Sequence, residues 1–375
     1  MAYILVYTAS FLHIGGFMTD KTYLTSIGEV NRSFNAGLSD LEDIEGNYPF
    51  FASQYYLSLI DWDDPEDPIR KIIIPDKAEL VKWGSLDPSM EARNTKSPGL
   101  QHKYGATALM LISDNCGGFC RFCFRKRLFI KPEDEKIRDF SKDIEYIRNH
   151  TEISNVLLTG GDALMIPTSR LDKITSALFS IKHIKTVRIG TKMPAYNPFR
   201  IIEDESLHDM VRKRSRAGQM IYFMTQFNHP RELTDEAKEA LDILRLSGAS
   251  LANQTPILNG VNSDPETLSL LCSTLAESGN IPYYLFQCRP AVGNRHFTVP
   301  VETTYEIYEK AKRSLSGLAK RARYVMSHST GKIEVIGMDS EKIYMKYHQA
   351  ANPGDLGRVM SFKRNPGALW LEDYL

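Results

Sequence analysis

A strand-then-helix alternation from residue 106 to about 316 constrains this chain more than any other feature. ATALMLIS (106–113) is a continuous apolar run of strand length. NVLLT (155–159), KTVRIGT (185–191), QMIYFMTQ (219–226), ASLANQT (249–255) and PYYLFQC (282–288) follow it, each separated from the next by a helix-length segment. The intervening segments carry helix signals. TDEAKEALDILRLSG opens on Thr234 and two acids, repeats apolar residues at Ala237, Ala240, Leu241 and Leu244, and stops at Gly248. SDPETLSLLCSTLAESG has Pro265 in its first turn, Leu268, Leu271, Cys272 and Leu275 on one face, and Gly279 at its end. Six such units predict an α/β fold of parallel strands joined by right-handed crossovers, closed or nearly closed as a barrel. In that architecture the chemistry falls on loops after the C-terminal ends of the strands.

The flanks read differently. Residues 1–98 form an accessory region of short apolar pieces, the acidic run DWDDPEDP (61–68), a strand-like RKIIIP (70–75) and a Pro/Gly break at SPG (97–99). Its first segment, MAYILVYTASFLHIGG, lacks a basic leader and suits a buried strand better than a signal peptide. The barrel unit spans 99–316. In the extension 317–375, RYVMSHSTGKIEVIG and EKIYMKY read as two β segments around a Met-Asp-Ser turn, followed by a polar tail with Asn-Pro-Gly. With 46 basic and 46 acidic residues, no net field recruits nucleic acid or an anionic membrane. No run reaches the roughly 18 apolar residues of a membrane span. Five cysteines at uneven spacing argue against a disulfide framework and for a reducing, cytoplasmic setting.

Three of those five fall within CGGFCRFC (116–123), in the loop after the first strand, with FRKR directly behind them. Three thiolates at C-x3-C-x2-C cannot complete a tetrahedral zinc site without a distant fourth ligand, and an electron-transfer ferredoxin site lacks its fourth cysteine here. A cubane iron–sulfur cluster fits better: three cysteines hold three irons and leave the fourth with an open coordination position. TGGD (159–162) directly follows the second strand. Gly160 and Gly161 let backbone approach a ligand closely and Asp162 offers an acceptor for an ammonium, although the same string also makes an ordinary βα loop.

Cys116-x3-Cys120-Arg121-Phe122-Cys123, with an aromatic before the third cysteine, resembles the cluster loop of the radical S-adenosylmethionine (SAM) superfamily. The resemblance implies a partial (β/α)6 TIM-like barrel, a [4Fe-4S] cluster on Cys116, Cys120 and Cys123, and SAM chelating the open iron. It also implies reductive cleavage to a 5′-deoxyadenosyl radical, fed by a flavodoxin- or ferredoxin-type reductant. Phe122, Gly160, Gly161 and Asp162 would then contact SAM, as would RIGTKMP (188–194). Longer strings are similar to the lysine 2,3-aminomutase family: DPEDPIRKIIIP (64–75), CRFCFRKR (120–127), LLTGGDAL (157–164), VRIGTKMP (187–194), QFNHPRELT (226–234), NQTPILNGVN (253–262) and PYYLFQC (282–288). That likeness runs from about residue 48 to 300. It implies an isomerase that shifts an amino group between adjacent carbons of an α-amino acid held on pyridoxal phosphate (PLP).

Carried over residue by residue, the resemblance puts Arg125 on the substrate carboxylate. It makes Lys332, in SHSTGKIEV and preceded by one glycine rather than four, the lysine joined to PLP. Lys103 matches one of two cations on the cofactor phosphate, while the other position is Thr107. Gln254, with Asn228, His229 and Asn253, falls at strand ends, where it either lines the cavity or caps a loop. The lysine enzyme holds its distal ammonium with two aspartates; here Arg289 follows Gln287-Cys288, and Tyr-Val-Met-Ser occupies the second region. Two like charges about 4 Å apart repel by about 4 kcal/mol at an effective dielectric near 20, nearly three decades of affinity. An acidic or neutral side chain is therefore expected, rather than a cationic one. Cys288 faces the mouth but packs, Cys272 belongs to a helix core, and the zinc cysteines that pair some family members are not seen, leaving a homo-oligomer open. His328 and His348 either touch a cofactor or are ordinary surface histidines. Two alternatives stand: a radical SAM reaction on another small molecule without PLP, and a non-catalytic iron–sulfur protein.

Overall fold

The structure, a computed structural model, describes residues 23–130 and 139–375; the strand expected in the first sixteen residues lies outside them. Its centre is a twelve-stranded mixed sheet in which every strand lies beside its chain neighbours. All six expected strands are present: β5 (Thr107–Ser113), β6 (Asn155–Gly160), β7 (Thr186–Thr191), β8 (Met220–Thr225), β9 (Ser250–Ile257) and β10 (Ile281–Gln287), each parallel to the next. The helix Val301–Lys312 then crosses over to a seventh parallel strand, β11 (Arg323–His328), so the alternation runs further than the sequence indicates.

RYVMSHSTGKIEVIG is not one β segment. It folds back at Ser329-Thr330 into β11 and the antiparallel β12 (Gly331–Met338), followed by β13 (Lys342–Ala350) and β14 (Val359–Lys363), the last within the expected polar tail. At the opposite edge β3 (Thr95–Ser97) and β4 (Leu100–Tyr104) add an antiparallel hairpin to β5. The terminal strands β3 and β14 do not pair with each other, so the sheet is open and the closed form of the expected barrel is not found.

Strand alternation sorts the side chains between two destinations. Ala108, Met110 and Ile112 of β5, Val156 and Leu158 of β6, and Val187 and Ile189 of β7 enter one core with the crossover helices. The residues between them, Leu109, Leu157, Thr159, Arg188 and Gly190, line a cavity on the other face. The helices begin where their caps dictate. Thr234 accepts a hydrogen bond from Ala237 N and Asp264 one from Thr267 N, each cap contributing about 1 kcal/mol.

RKIIIP is helical rather than extended. Asp67 accepts hydrogen bonds from Ile69 N and Arg70 N at 2.8 Å, Pro68 takes the first helical position, and Ile69, Ile72 and Ile73 bury one face of Pro68–Ile73. The cap and the three-to-four residue spacing override the strand preference of a β-branched run. This N-terminal layer, with Leu24, Ile27, Val30 and Tyr56 in its core, packs on Phe122, Tyr196, Leu258, Cys288 and Phe297. Those five lie in or beyond the loops after β5, β7, β9 and β10, so the layer covers the end of the sheet where ligands are expected.

Candidate active site

A cavity of about 350 Å³ lies over the C-terminal ends of the parallel strands. Cys116, Cys120, Cys123, Phe122, Gly160, Gly161, Asp162, Gln254, Arg125, Arg289, Lys103 and Lys332 all line it. They come from residues more than 200 positions apart, and the fold alone brings them to one wall.

The cysteine loop is pinned by the N-terminal layer. Phe119 N donates to Phe51 O at 2.8 Å and Arg121 N to Ile72 O at 2.9 Å. Arg121 donates to Glu79 through Nε at 2.8 Å and Nη2 at 3.0 Å, and Lys126 Nζ reaches the same carboxylate at 3.1 Å. Arg125 and Arg127 both pair with Glu91, at 2.7 and 2.6 Å. Burial alone would raise both acids, but their cations outweigh it: Glu79 lies below its ordinary value and Glu91 is held down at about 2. The cations behind the cysteines thus clamp the loop to residues far upstream. Among the described residues no group of three or more His, Cys, Asp or Glu side chains is placed to hold a single metal ion. Burial raises all three thiols, and each is raised further by a neighbouring thiol or opposed by nearby cations. Cys120 Sγ shares a hydrogen bond with Tyr196 Oη at 2.8 Å.

Gly160 and Gly161 sit against the loop after β5. A Cβ on Gly160, whose φ is +126°, would lie 2.0 Å from Ser113 O, and one on Gly161 would lie 2.2 Å from Asn115 O. Asp162 is buried, and both its oxygens accept backbone N–H groups, from Leu164 at 2.9 Å and Lys192 at 2.6 Å. It joins the loops after β6 and β7 while lining the cavity. Arg188, Gly190, Thr191 and Lys192 of RIGTKMP also face the cavity, and Lys192 Nζ pairs with Glu232 at 2.6 Å.

Arg125 uses Nε and one Nη2 N–H on Glu91 and one Nη1 N–H on Thr159 Oγ1 at 3.3 Å, which leaves two of its five donors. Arg289 stacks its guanidinium 3.8 Å over the Phe124 ring and donates to Ser89 Oγ at 2.7 Å. Among the described residues no carboxylate pairs with it. Lys103 donates to His328 O at 2.7 Å, and burial and Arg289 lower it to about 8. Lys332, on β12, lies over the rings of Tyr104 and Tyr284 at 5.3 and 5.5 Å. Burial, then Arg289, Arg188 and Lys103, push its ammonium down to about 7.

Other candidates lie elsewhere. Asn253 is locked in a buried network with Thr225, Phe227 N and Thr255; Asn228 carries a hydrogen bond from Asn262 to its carbonyl; His229 caps the turn at Arg231. Of those four strand-end residues only Gln254 lines the cavity. His328 is held between Thr330 and Glu372 at 2.7 Å each, His348 packs edge-on to Tyr284, and Cys272 is core. Cys288 is both packed and on the cavity wall. Residues the sequence did not mark are Glu79, Glu91, Tyr104, Tyr196 and Tyr284, while Arg188 was marked only as part of RIGTKMP. The paired acids have no local signal, and Arg188 looks like the polar half of a strand alternation.

No protein-family model matches the chain. It is 49% identical to an Aquifex aeolicus (strain VF5) protein described as "Putative L-lysine 2,3-aminomutase", over 96% of this chain and 94% of that one. It is 38% identical to the L-lysine 2,3-aminomutase of Clostridium subterminale over 70% of this chain and 62% of that enzyme. It is 34% identical to the glutamate 2,3-aminomutase of Clostridioides difficile (strain 630), over 74% of this chain and 65% of that enzyme.

Proposed function

The chain belongs to the lysine 2,3-aminomutase family, and on that premise we propose that it is a radical SAM isomerase moving the α-amino group of a PLP-bound amino acid with an acidic side chain to the adjacent carbon. The observation that carries the reading is the convergence on one cavity of three soft thiol donors and a desolvated lysine poised near neutrality. The unit from 99 to 316 is read as the radical SAM partial barrel, its open sheet leaving one side for ligands, with the described residues 23–98 and the extension 317–375 covering the site from either side.

The donor set of Cys116, Cys120 and Cys123, three soft sulfur ligands on one cavity wall, fits an iron–sulfur cluster better than a hard cation. When bound, the cluster with SAM would supply a carbon-centred radical, and PLP a conjugated π-system through which nitrogen can migrate. The chain's own residues do the rest. Tyr196 is placed to give a hydrogen bond to the Cys120 sulfur, which stabilises a thiolate there. Gly160 and Gly161 let the loop after β6 lie directly against the backbone of the loop after β5, so that both loops are held at the cavity wall that would receive SAM. Lys332, substantially unprotonated near pH 7, is available as the nucleophile for a pyridoxal aldehyde. Arg125 keeps two N–H donors for the substrate carboxylate while Glu91 fixes its orientation. Arg289, stacked on Phe124 and without a carboxylate partner among the described residues, repels an ammonium tail and attracts a carboxylate.

Protein purified without oxygen tests this reading. An electron-paramagnetic-resonance signal of the reduced cluster that changes when SAM is added, together with a PLP absorbance band absent from Lys332→Ala, is the expected result. A cluster indifferent to SAM, or PLP retained equally in the variant, would overturn it.

A further inference from the structure

Arg188 differs from the acid-paired cations of the site. Arg121, Arg125, Lys126 and Lys192 each hold a carboxylate within 3.1 Å. Arg188 holds none among the described residues, and its Nε is sealed from solvent without a hydrogen-bond partner. Burial lowers its pKa, and the tyrosines at 283 and 284 oppose that shift. The residue sits on β7, in register with Leu157 on β6 and Tyr222 on β8, and lines the cavity together with Lys103 and Lys332. A desolvated guanidinium without an anion is costly to keep, so its counter-ion must come from a ligand.

The charge required can be counted. With the amine of Lys332 neutral, the cations around it are Arg289, Arg188 and Lys103; Arg289 is given above to the substrate's side chain, which leaves two positive charges to balance. A carboxylate would balance one; a phosphate monoester, at about −1.5 to −2 near pH 7, would balance both. Its three terminal oxygens also suit a guanidinium fork beside an ammonium. We propose that Arg188 is an anion-binding residue of this cavity and that, with Lys103, it takes the phosphate monoester of the pyridoxal cofactor. The assignment rests on the PLP reading above, and adds to it a residue from the middle of the sheet.

The test uses the full chain with its cluster, prepared without oxygen, as wild type, Arg188→Ala and Arg188→Lys. Each is titrated with pyridoxal phosphate and with unphosphorylated pyridoxal, followed by absorbance, with inorganic phosphate as competitor and circular dichroism to check the fold. Arg188→Ala is expected to weaken pyridoxal phosphate by about 10–100-fold while leaving pyridoxal unchanged. Inorganic phosphate should then compete less well, and Arg188→Lys should fall between. Equal pyridoxal phosphate affinity in wild type and Arg188→Ala overturns the assignment and leaves the PLP reading standing. So does an equal loss for both aldehydes, or an effect confined to the KM of the amino acid, which would mark a substrate carboxylate as the anion. If the folded wild type takes up neither aldehyde, the PLP reading and this assignment fall together.

Discussion

Lys332 shows how much of the chemistry one residue's surroundings can set. Lys103 and Tyr104 on β4, Arg188 on β7, Tyr284 on β10 and Arg289 beyond it face the amine, and none is an acid that would hold a proton there. Its folded value of about 7 is below the ordinary lysine value, so the folded chain binds fewer protons than the unfolded one between about pH 7 and 10.5. The penalty is therefore full below pH 7 and disappears as pH rises through that window. Lys332→Met should raise the stability of the cofactor-free chain by on the order of 2–4 kcal/mol at neutral pH, measured by denaturant unfolding. In wild type the rate of PLP uptake should climb with pH and level off above about 7, as stopped-flow absorbance would show; a flat profile would count against the lysine. Arg289 makes the complementary prediction for substrate choice. Arg289→Asp should lower kcat/KM for an acidic amino acid by two to three decades, since attraction becomes repulsion, and steady-state assays read this directly.

At the scale of elements, the loops after β5, β6 and β7 act as one unit. Gly161 N donates to Ser113 O at 2.8 Å, Asp162 N to Asn115 O at 2.6 Å, and the Asp162 carboxylate reaches Lys192 N. Gly160→Ala meets both a positive φ and the Ser113 carbonyl, so it should cost about 3 kcal/mol or more and weaken SAM binding, checked by thermal unfolding and by titration with SAM. Most of this frame was legible in the sequence, because a strand covered on both faces leaves a short apolar run and its crossover helix carries its own caps. Three pieces were not. RKIIIP has a strand-like composition, but its fate was decided by Asp67 and Pro68 in front of it. The β11–β12 hairpin turns at Ser329-Thr330, with Gly331 only on its far side, so the turn left a weak signal. That Arg188, the first residue of RIGTKMP, has no acid partner among the described residues shows only in the fold. The cysteine triad and the glycine pair fall on the cavity wall because each sits in a loop directly after a strand, a position the alternation makes readable.

Across the whole molecule, the N-terminal layer and the cysteine loop are joined by buried ion pairs whose members lie 34 to 47 residues apart. Glu91 is held at about 2 against an ordinary value near 4.5, so its contribution is present above about pH 4.5 and is lost as pH falls toward 2. That contribution is on the order of 3 kcal/mol. Glu91→Gln should flatten the acid limb of the thermal stability profile and, by taking from the buried Arg125 the carboxylate it pairs with, destabilise the chain by about 3–5 kcal/mol at pH 7. Calorimetry of both proteins from pH 3 to 7 checks the two effects together.

In the proposed function one cavity joins a radical source to a cationic pocket for an acidic amino acid. The most direct measurement incubates the anaerobic protein with SAM, a low-potential reductant, PLP and either L-glutamate or L-lysine, each 15N-labelled at the α-amino group, and locates the label by mass spectrometry. The account predicts label on the adjacent carbon with glutamate and far less with lysine. Lysine as the better substrate, or no movement of label from either while SAM is cleaved, would contradict it.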